Sequence, residues 1–497
     1  MNQQALDREV CYRALLTRDA RFDGQFYTAV LTTGIYCRPI CPARPPKIEN
    51  CIFLFSAAAA EQMGFRPCLR CRPEVSPAEL RLQARSNLVD KALQQIIEGV
   101  FDDDSVEYLA ERLGVSARHL RRLFARELGT TPIAVAQAQR VLLAKKMIVE
   151  TTLSMTDVAI AAGFGSVRRF NDAMQRNYGR APKTMRHTST SNGNMAAGIT
   201  LKLPFTPPYD WAAMMEFLAG RAIPGVEDVQ AGKYSRSFHL DGVHGIVEVQ
   251  QEPETNHLLA TIHATEVPPI GIIVTRLRHL FDLDANIGMI DTHLSADPRL
   301  AARVRERPGL RVPGTWDLFE LAVRAVLGQQ ISVAAATTLS GRLVATLGEP
   351  LKGDFAAILG KTGISMVFPL PVAVMTANLT PIGLTRARER ALQSLATVIH
   401  GDRLFFQPHA LPGKTIEKLC ELPGIGPWTA HYIAMRGYRD PDAFPHSDLG
   451  LLRALETERG RPTPAELLAI ADEWRPWRAY AAMRLWVQPK ISTATRW

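Results

Sequence analysis

Two short cysteine pairs, Cys37-x3-Cys41 and Cys68-x2-Cys71, stand well separated near the front of the chain. Brought together they supply four thiolate donors, the set that a tetrahedral zinc ion prefers. Closing that set constrains the segment up to Cys71 more than any other feature. Six of the seven cysteines lie there. In a reducing compartment such clustering points to metal or catalysis rather than disulfides. Spacing alone leaves open whether the ion is purely structural or activates a thiolate. Cys11, Cys51 and Cys420 have no partner at ligand spacing and read as buried fillers.

The 497 residues exceed what one hydrophobic core holds, so several domains are expected. No apolar run is long enough to span a bilayer, and the N-terminal stretch lacks the layout of a signal peptide, so a cytoplasmic protein without a membrane partner is expected. Residues 112–186 carry 14 lysines and arginines against 4 acidic residues. A local basic surplus suits an anionic partner, most simply nucleic acid, although a solvated basic face has the same composition.

The stretch "RHTSTSNGNMAAGIT" (186–200) reads as a linker, and "CRPEVSPAEL" (71–80) as a weaker boundary. The expected divisions are 1–76, 77–187, a linker at 188–198, 199–290 and 291–497. Between them "LAERLGVSARHLRRLFARELGTTP" (109–132) is answered by "VAIAAGFGSVRRFNDAMQRNYGRAP" (158–182). Each copy reads as a short helix, a glycine turn, a second helix and a Gly/Pro stop. Region 199–290 opens with strand alternation, as in "SRSFHLDGVHGIVEVQ", and the rest turns helical. The fold class expected is multidomain α+β: a small zinc-bound α/β domain, an all-α double helix-turn-helix domain, then an antiparallel β subdomain with a helical domain.

"TTGIYCRPICPAR" and "GFRPCLRCRP" resemble the N-terminal domain of the Ada family of bacterial methylation-damage sensors, over about residues 5–76. The resemblance implies one Zn2+ held by Cys37, Cys41, Cys68 and Cys71, with Cys37 accepting a methyl group from a DNA methylphosphotriester. The chemistry is coherent: zinc keeps a thiol ionised at neutral pH, and the thiolate is the nucleophile. Methylation removes one negative charge from the site, which should tighten its hold on DNA phosphates. The transfer is expected to be stoichiometric. Ada itself also carries a Pro-Cys-His-Arg motif for repair at a guanine oxygen; that tetrapeptide is absent, and no such activity is expected.

The repeat resembles the DNA-binding domain of AraC-type activators. Ser116 is expected to cap the first unit's second helix, which carries Arg118, Arg121 and Arg122 on one face. The second unit offers Ser166, Arg168, Arg169 and Asn171 similarly. Such faces enter a major groove, and each arginine is open to a base contact, a phosphate contact or solvent. The partners implied are double-stranded DNA, alkylated or promoter, with RNA polymerase beside it. A monomer is expected.

"CELPGIGPWTAHY" (420–432) reads as helix, tight turn, helix, with amides free to meet a phosphate. It resembles the helix-hairpin-helix of DNA glycosylases, and the match to the AlkA family runs over 209–487. The resemblance implies Asp448 as catalytic carboxylate and Phe217, Trp428, Tyr432 and Trp486 as aromatic walls of a base pocket. It implies the amides of Gly424, Gly426 and Thr429 as a phosphate clamp. It also implies the carbonyls of Cys420, Leu422 and Gly424 as ligands of a monovalent cation. Gln330 falls at the wedge position, where the family has an aliphatic residue. Bifunctional relatives place a lysine where Trp428 stands, so base release without strand cleavage is expected. A cationic N3- or N7-alkylated purine is attracted by electron-rich rings and is already a good leaving group, so one carboxylate suffices. Residue by residue, blander readings stand: Asp448 is also a fair helix cap, and aromatics at helical spacing are commonly core.

Overall fold

Cys37 ends one strand of a small sheet, and Cys68 directly follows another. β1 (Tyr27–Val30) runs antiparallel to β2 (Ile35–Cys37) and to β3 (Cys51–Leu54), while β4 (Arg66–Pro67) runs parallel to β2, giving the order β3-β1-β2-β4. Helix Ala57–Gln62 opens with four buried alanines and is capped by Ser56, whose Oγ accepts from the Ala59 amide. Side chains that small let a helix lie close on the sheet, where Tyr27 and Tyr36 meet edge to face.

In this computed structural model the described residues are 8–18, 22–23, 26–68, 70–71, 73, 87–97, 106–151, 153–186, 198–355, 362–401, 412–458 and 460–487. The expected linker at 188–198, apart from Gly198, lies outside them, as does most of the boundary at 71–80. The chain falls into two units: Met1–Pro204 with Leu240–Val243 and His257–Thr275, and Phe205–His239 with His244–Asn256 and Arg276–Trp497.

The first unit also holds the repeat. Helices Val106–Arg112 and Ala117–Leu128 form one pair, and Met155–Ala161 and Val167–Tyr178 the other, with the long helix Pro132–Glu150 between them in sequence. The two copies are built alike. Ser116 Oγ accepts from His119 N, Ser166 Oγ accepts from Arg169 N, and Gly129 and Gly179 end their helices in the left-handed conformation. Leu120 and Phe124 face the core in one copy, Phe170 and Met174 in the other, so the arginine faces turn outward. Strands β5 (Ile199–Pro204) and β9 (His257–Ala264) pair antiparallel, with Leu201 opposite Ala260.

In the second unit β6 (Glu227–Gln230), β7 (Lys233–Leu240) and β8 (Val243–Gln251) are successive neighbours. Buried charges tie them to helix Leu318–Leu327. Arg236 reaches Glu320 at 2.9 Å and Glu227 at 3.5 Å, and Arg324 reaches Glu227 at 3.0 Å. The helix Pro427–Gly437 lies between two apolar clusters. Ala430 and Ile433 join Phe319, Ala322 and Val326 on one side; Ala434 and Met435 join Phe444, Leu451 and Trp474 on the other. No helix among the described residues is long and apolar enough to cross a membrane.

Candidate functional site

The parallel pairing of β2 with β4 sets Tyr36 beside Pro67, so the next residues along, Cys37 at the end of β2 and Cys68 just past β4, come side by side. The Cys68 amide donates to the Tyr36 carbonyl at 3.0 Å, and the Cys41 amide to Arg38 O at 3.1 Å turns the chain back on itself. All four Sγ atoms lie within 4.8 Å of one another. Cys41, Cys68 and Cys71 are buried, and Cys37 is the least enclosed. Backbone amides point at two of the sulfurs: Arg38 N donates to Cys71 Sγ at 3.3 Å and Arg70 N to Cys68 Sγ at 3.4 Å. Packed this tightly, thiols cannot all ionise by themselves. Cys37 is pushed up, first by its bond to Cys41 and then by Cys68 and Cys71, whereas Cys41 is drawn down to about 7, first by Cys37. Four sulfurs at these separations, with amide donors on two of them, fit one zinc ion.

Arg38 and Asp23 complete this centre, and sequence reading passed over both. Arg38 Nε donates to Asp23 Oδ1 at 2.8 Å, its second nitrogen meets Asp23 Oδ2, and a third donates to the Cys71 carbonyl at 3.2 Å. Both side chains are buried. Arg38 was visible beside Cys37, but no local pattern marks Asp23, which lies ahead of β1.

On the repeat, Arg118, Arg121, Arg122, Ser166, Arg168, Arg169 and Asn171 are all exposed. Arg121 is engaged with Glu107 at 2.7 Å, and Arg122 contacts His119 Nδ1 at 3.2 Å.

In the second unit, helix Pro427–Gly437 starts at Gly426 with no side-chain cap on its first amides. Gly424, at φ +79°, is required twice over: a Cβ there would also come within 2.6 Å of Ala391 Cβ. Leu422 O accepts from Ile425 N at 3.1 Å, and Gly424 O accepts from Gln329 Nε2 at 2.7 Å. The same amide nitrogen of Gln329 reaches Thr429 Oγ1 at 3.0 Å. Of the two adjacent glutamines, Gln329 braces the hairpin from within. Gln330 is exposed at φ +59°, a conformation few non-glycine residues adopt.

Asp448 caps helix Leu449–Ala454: Oδ1 accepts from Gly450 N at 2.8 Å and Leu451 N at 3.1 Å. It is also gripped by two indoles. Trp486 Nε1 donates to Oδ1 at 2.8 Å and Trp428 Nε1 to Oδ2 at 2.9 Å. The helix cap is thus also the carboxylate that both indoles hold, and it remains partly exposed. Trp428 and Tyr432 stack at 5.3 Å between ring centroids with planes 9° apart, an offset parallel arrangement. Trp486 stands 6.4 Å from Tyr432 at 59°. Arg436 donates to Tyr432 Oη at 2.6 Å and lies 4.9 Å from the Phe217 ring, with Arg221 3.8 Å over the same ring. Burial would raise the Tyr432 phenol, but the Arg436 and then Arg221 cations hold it below the ordinary value. Neither arginine was picked out from the sequence, although Arg221 stands four residues from Phe217 and Arg436 four from Tyr432, a helical spacing that could have marked both.

Comparison with known proteins finds three family matches along the chain. Residues 10–74 match the metal binding domain of Ada, 109–188 a helix-turn-helix domain and 200–317 the AlkA N-terminal domain. The chain is 34% identical over 290 residues to DNA-3-methyladenine glycosylase 2 of Escherichia coli, covering 57% of this chain and 95% of that one. A 3-methyladenine DNA-glycosylase structure from Archaeoglobus fulgidus shares its fold over 59% of this chain and 99% of its own, at TM-score 0.50 and 20% identity. Over 487 residues, 97% of this chain and 96% of the other, it is 40% identical to the "Probable bifunctional transcriptional activator/DNA repair enzyme AlkA" of Mycobacterium tuberculosis. With a thiolate centre, a doubled helix-turn-helix and an aromatic-gripped carboxylate in one polypeptide, the chain belongs to the family of that bifunctional transcriptional activator/DNA repair enzyme.

Proposed function

We propose that this chain senses and repairs DNA alkylation, transferring methyl groups from DNA methylphosphotriesters to Cys37 and excising alkylated bases in the second unit. The observation that carries the glycosylase reading is the grip of two indole N–H groups on Asp448. The two indole donors, one on each oxygen, fix the orientation of the carboxylate. A partly exposed carboxylate beside ring faces suits the positive charge that builds on a deoxyribose as the C1′–N bond to a cationic base breaks. Water then adds at C1′ and leaves an abasic site. The extruded base would rest on the wall of Trp428 and Tyr432, with Phe217 and Trp486 completing the pocket. The amides of Gly424, Gly426 and Thr429 would hold a phosphate, and Gln330, exposed on its turn, would fill the gap in the duplex. A monovalent cation on the carbonyls of Cys420, Leu422 and Gly424 belongs to the same reading through family resemblance. The Leu422 and Gly424 carbonyls each keep a second lone pair beside the bonds described.

At the front, Cys41, Cys68 and Cys71 would join Cys37 around zinc, which when bound keeps the thiolates ionised at neutral pH. Cys37 as acceptor is supported by its being the least enclosed of the four. Its sulfur takes the methyl group, the methyl C–O bond breaks, and an ordinary phosphodiester remains. The exposed arginine faces of the repeat suit duplex DNA, including a promoter at which RNA polymerase would be recruited by the monomeric chain.

An abasic-site assay on methylated duplex DNA, wild type against Asp448→Asn, tests the repair half. No base release by wild type would eliminate it. Mass spectrometry after incubation with methylphosphotriester DNA tests the sensor: one added methyl on Cys37 is expected, and methylation elsewhere, or none, would refute the assignment.

A further inference from the structure

The segment "HLDGVH" (239–244) takes no part in the chemistry above. Its Asp241 and Gly242 both have positive φ, at 50° and 84°, and join β7 to β8 as a two-residue turn. Such a turn sets the flanking residues opposite each other in pairs. The second pair out is His239 with His244, and their rings stack at 4.3 Å with planes 19° apart. A third ligand arrives from far along the chain. Glu349 opens β10 (Glu349–Pro350), which pairs with β11 (Met366–Val367), and its Oε2 lies 3.7 Å from His239 Nδ1.

The meeting is built. Ser237 lies two residues before His239 on β7, hence on the same face, and its Oγ donates to the Met366 carbonyl of β11 at 2.6 Å. Gly348 precedes Glu349, and a Cβ there would come within 2.6 Å of Val344 O and 2.7 Å of Val367 O, so only glycine lets the chain pass this close. The Lys352 amide approaches His244 Nδ1 at 3.4 Å, a long contact that a metal–nitrogen bond would replace. One ligand atom from each of the three side chains lies within 4.8 Å of the others.

We propose that His239, His244 and Glu349 form a second metal site in this chain, for a divalent transition ion of the zinc class. Two imidazoles and a carboxylate are a donor set that zinc accepts, with the remaining position left to water. Donors around a tetrahedral zinc stand about 3.3 Å apart, given bonds of about 2.0–2.1 Å. The partly exposed Glu349 and His239 need to draw in slightly, while the buried His244 stays in place. The ion would staple the β7–β8 hairpin to the β10–β11 ribbon. It is distinct from the four-cysteine centre in ligands and in place along the chain.

The test is zinc stoichiometry of the full chain after dialysis against buffered micromolar free zinc, read by elemental analysis. Two zinc ions per chain are expected for wild type, and one for Glu349→Gln and for His239→Asn, both chosen because the residues are partly exposed. Thiol titration of the same samples checks that the four-cysteine centre is still loaded. Raising free zinc from nanomolar to micromolar should lift the melting temperature of wild type but not of either variant. One zinc per chain in wild type, or two retained by both variants, overturns the proposal.

Discussion

Trp428 Nε1 lies 2.9 Å from Asp448 Oδ2, on the oxygen opposite the one that caps the following helix. One carboxylate therefore serves two donor sets, and neither oxygen can be altered without disturbing an indole.

Asp448→Asn keeps an acceptor for the cap, but its amide nitrogen faces an indole N–H, donor against donor. Base release should fall by about 100-fold or more, with a stability loss of about 1–2 kcal/mol for the mismatched donor. An abasic-site assay and a denaturant titration separate the two effects.

Trp486→Phe removes one of the two indole donors and keeps the ring. The expected outcome is a drop of roughly tenfold in base release, equivalent to about 1.4 kcal/mol, the worth of a hydrogen bond to a charged group. Single-turnover rates on methylated duplex DNA check it; an unchanged rate would show that Trp428 alone aims the carboxylate.

Asp23→Ala should strip Arg38 of its buried partner. Removing one member of a buried ion pair costs about 3–5 kcal/mol, and here the loss falls on the loop carrying Cys37 and Cys41. Faster zinc release to a chelator is the expected readout, with every thiol ligand still present.

His279 should make the second unit acid-labile. Its Nε2 donates to Arg436 O at 2.9 Å, and burial first, then the Arg439 cation, pushes the imidazole down to about 3 from 6.5. The unfolded chain binds the proton and the folded one does not, so the stabilisation is complete above pH 6.5 and drains away as pH falls toward 3. Between pH 7 and pH 5 the loss should be about 2 kcal/mol. His279→Gln should flatten that slope in denaturant titrations at the two pH values.

The helix-turn-helix arginines should be read through salt. Replacing Arg118 or Arg168 by alanine should lower the slope of log affinity against log salt by about one if the residue meets a phosphate. If it meets a base edge, sequence discrimination should weaken instead. Binding measured at several salt concentrations, on promoter and unrelated duplexes, tells them apart.

Much of this was legible in the residues. Cysteine spacing announced the thiolate centre, because a metal demands its donors in short local pairs. Ser116, Ser166, Gly129 and Gly179 marked helix ends, because caps are made by the nearest few residues. Asp448 and its aromatic neighbours were legible as a set through resemblance. What stayed hidden lay at long range. Asp23 reaches Arg38, Gln329 reaches Gly424, and Arg436 meets Phe217; none of these pairs has a periodic or local signature. The stacking of Trp428 on Tyr432 was equally invisible, since helical spacing sets which face a ring is on but not its tilt.

By itself the sequence determined which donors each segment carries, paired thiols near the front and arginines on the repeat, while the acid among rings was read through resemblance. The tertiary structure alone decided which groups stand around those atoms. It set two indoles on Asp448, a buried ion pair behind the thiolates, and Glu349 beside His239 and His244. The physical reason is reach: backbone geometry specifies neighbours within a few residues, whereas a hydrogen bond or a ligand set closes only when packing brings distant strands to within about three ångströms.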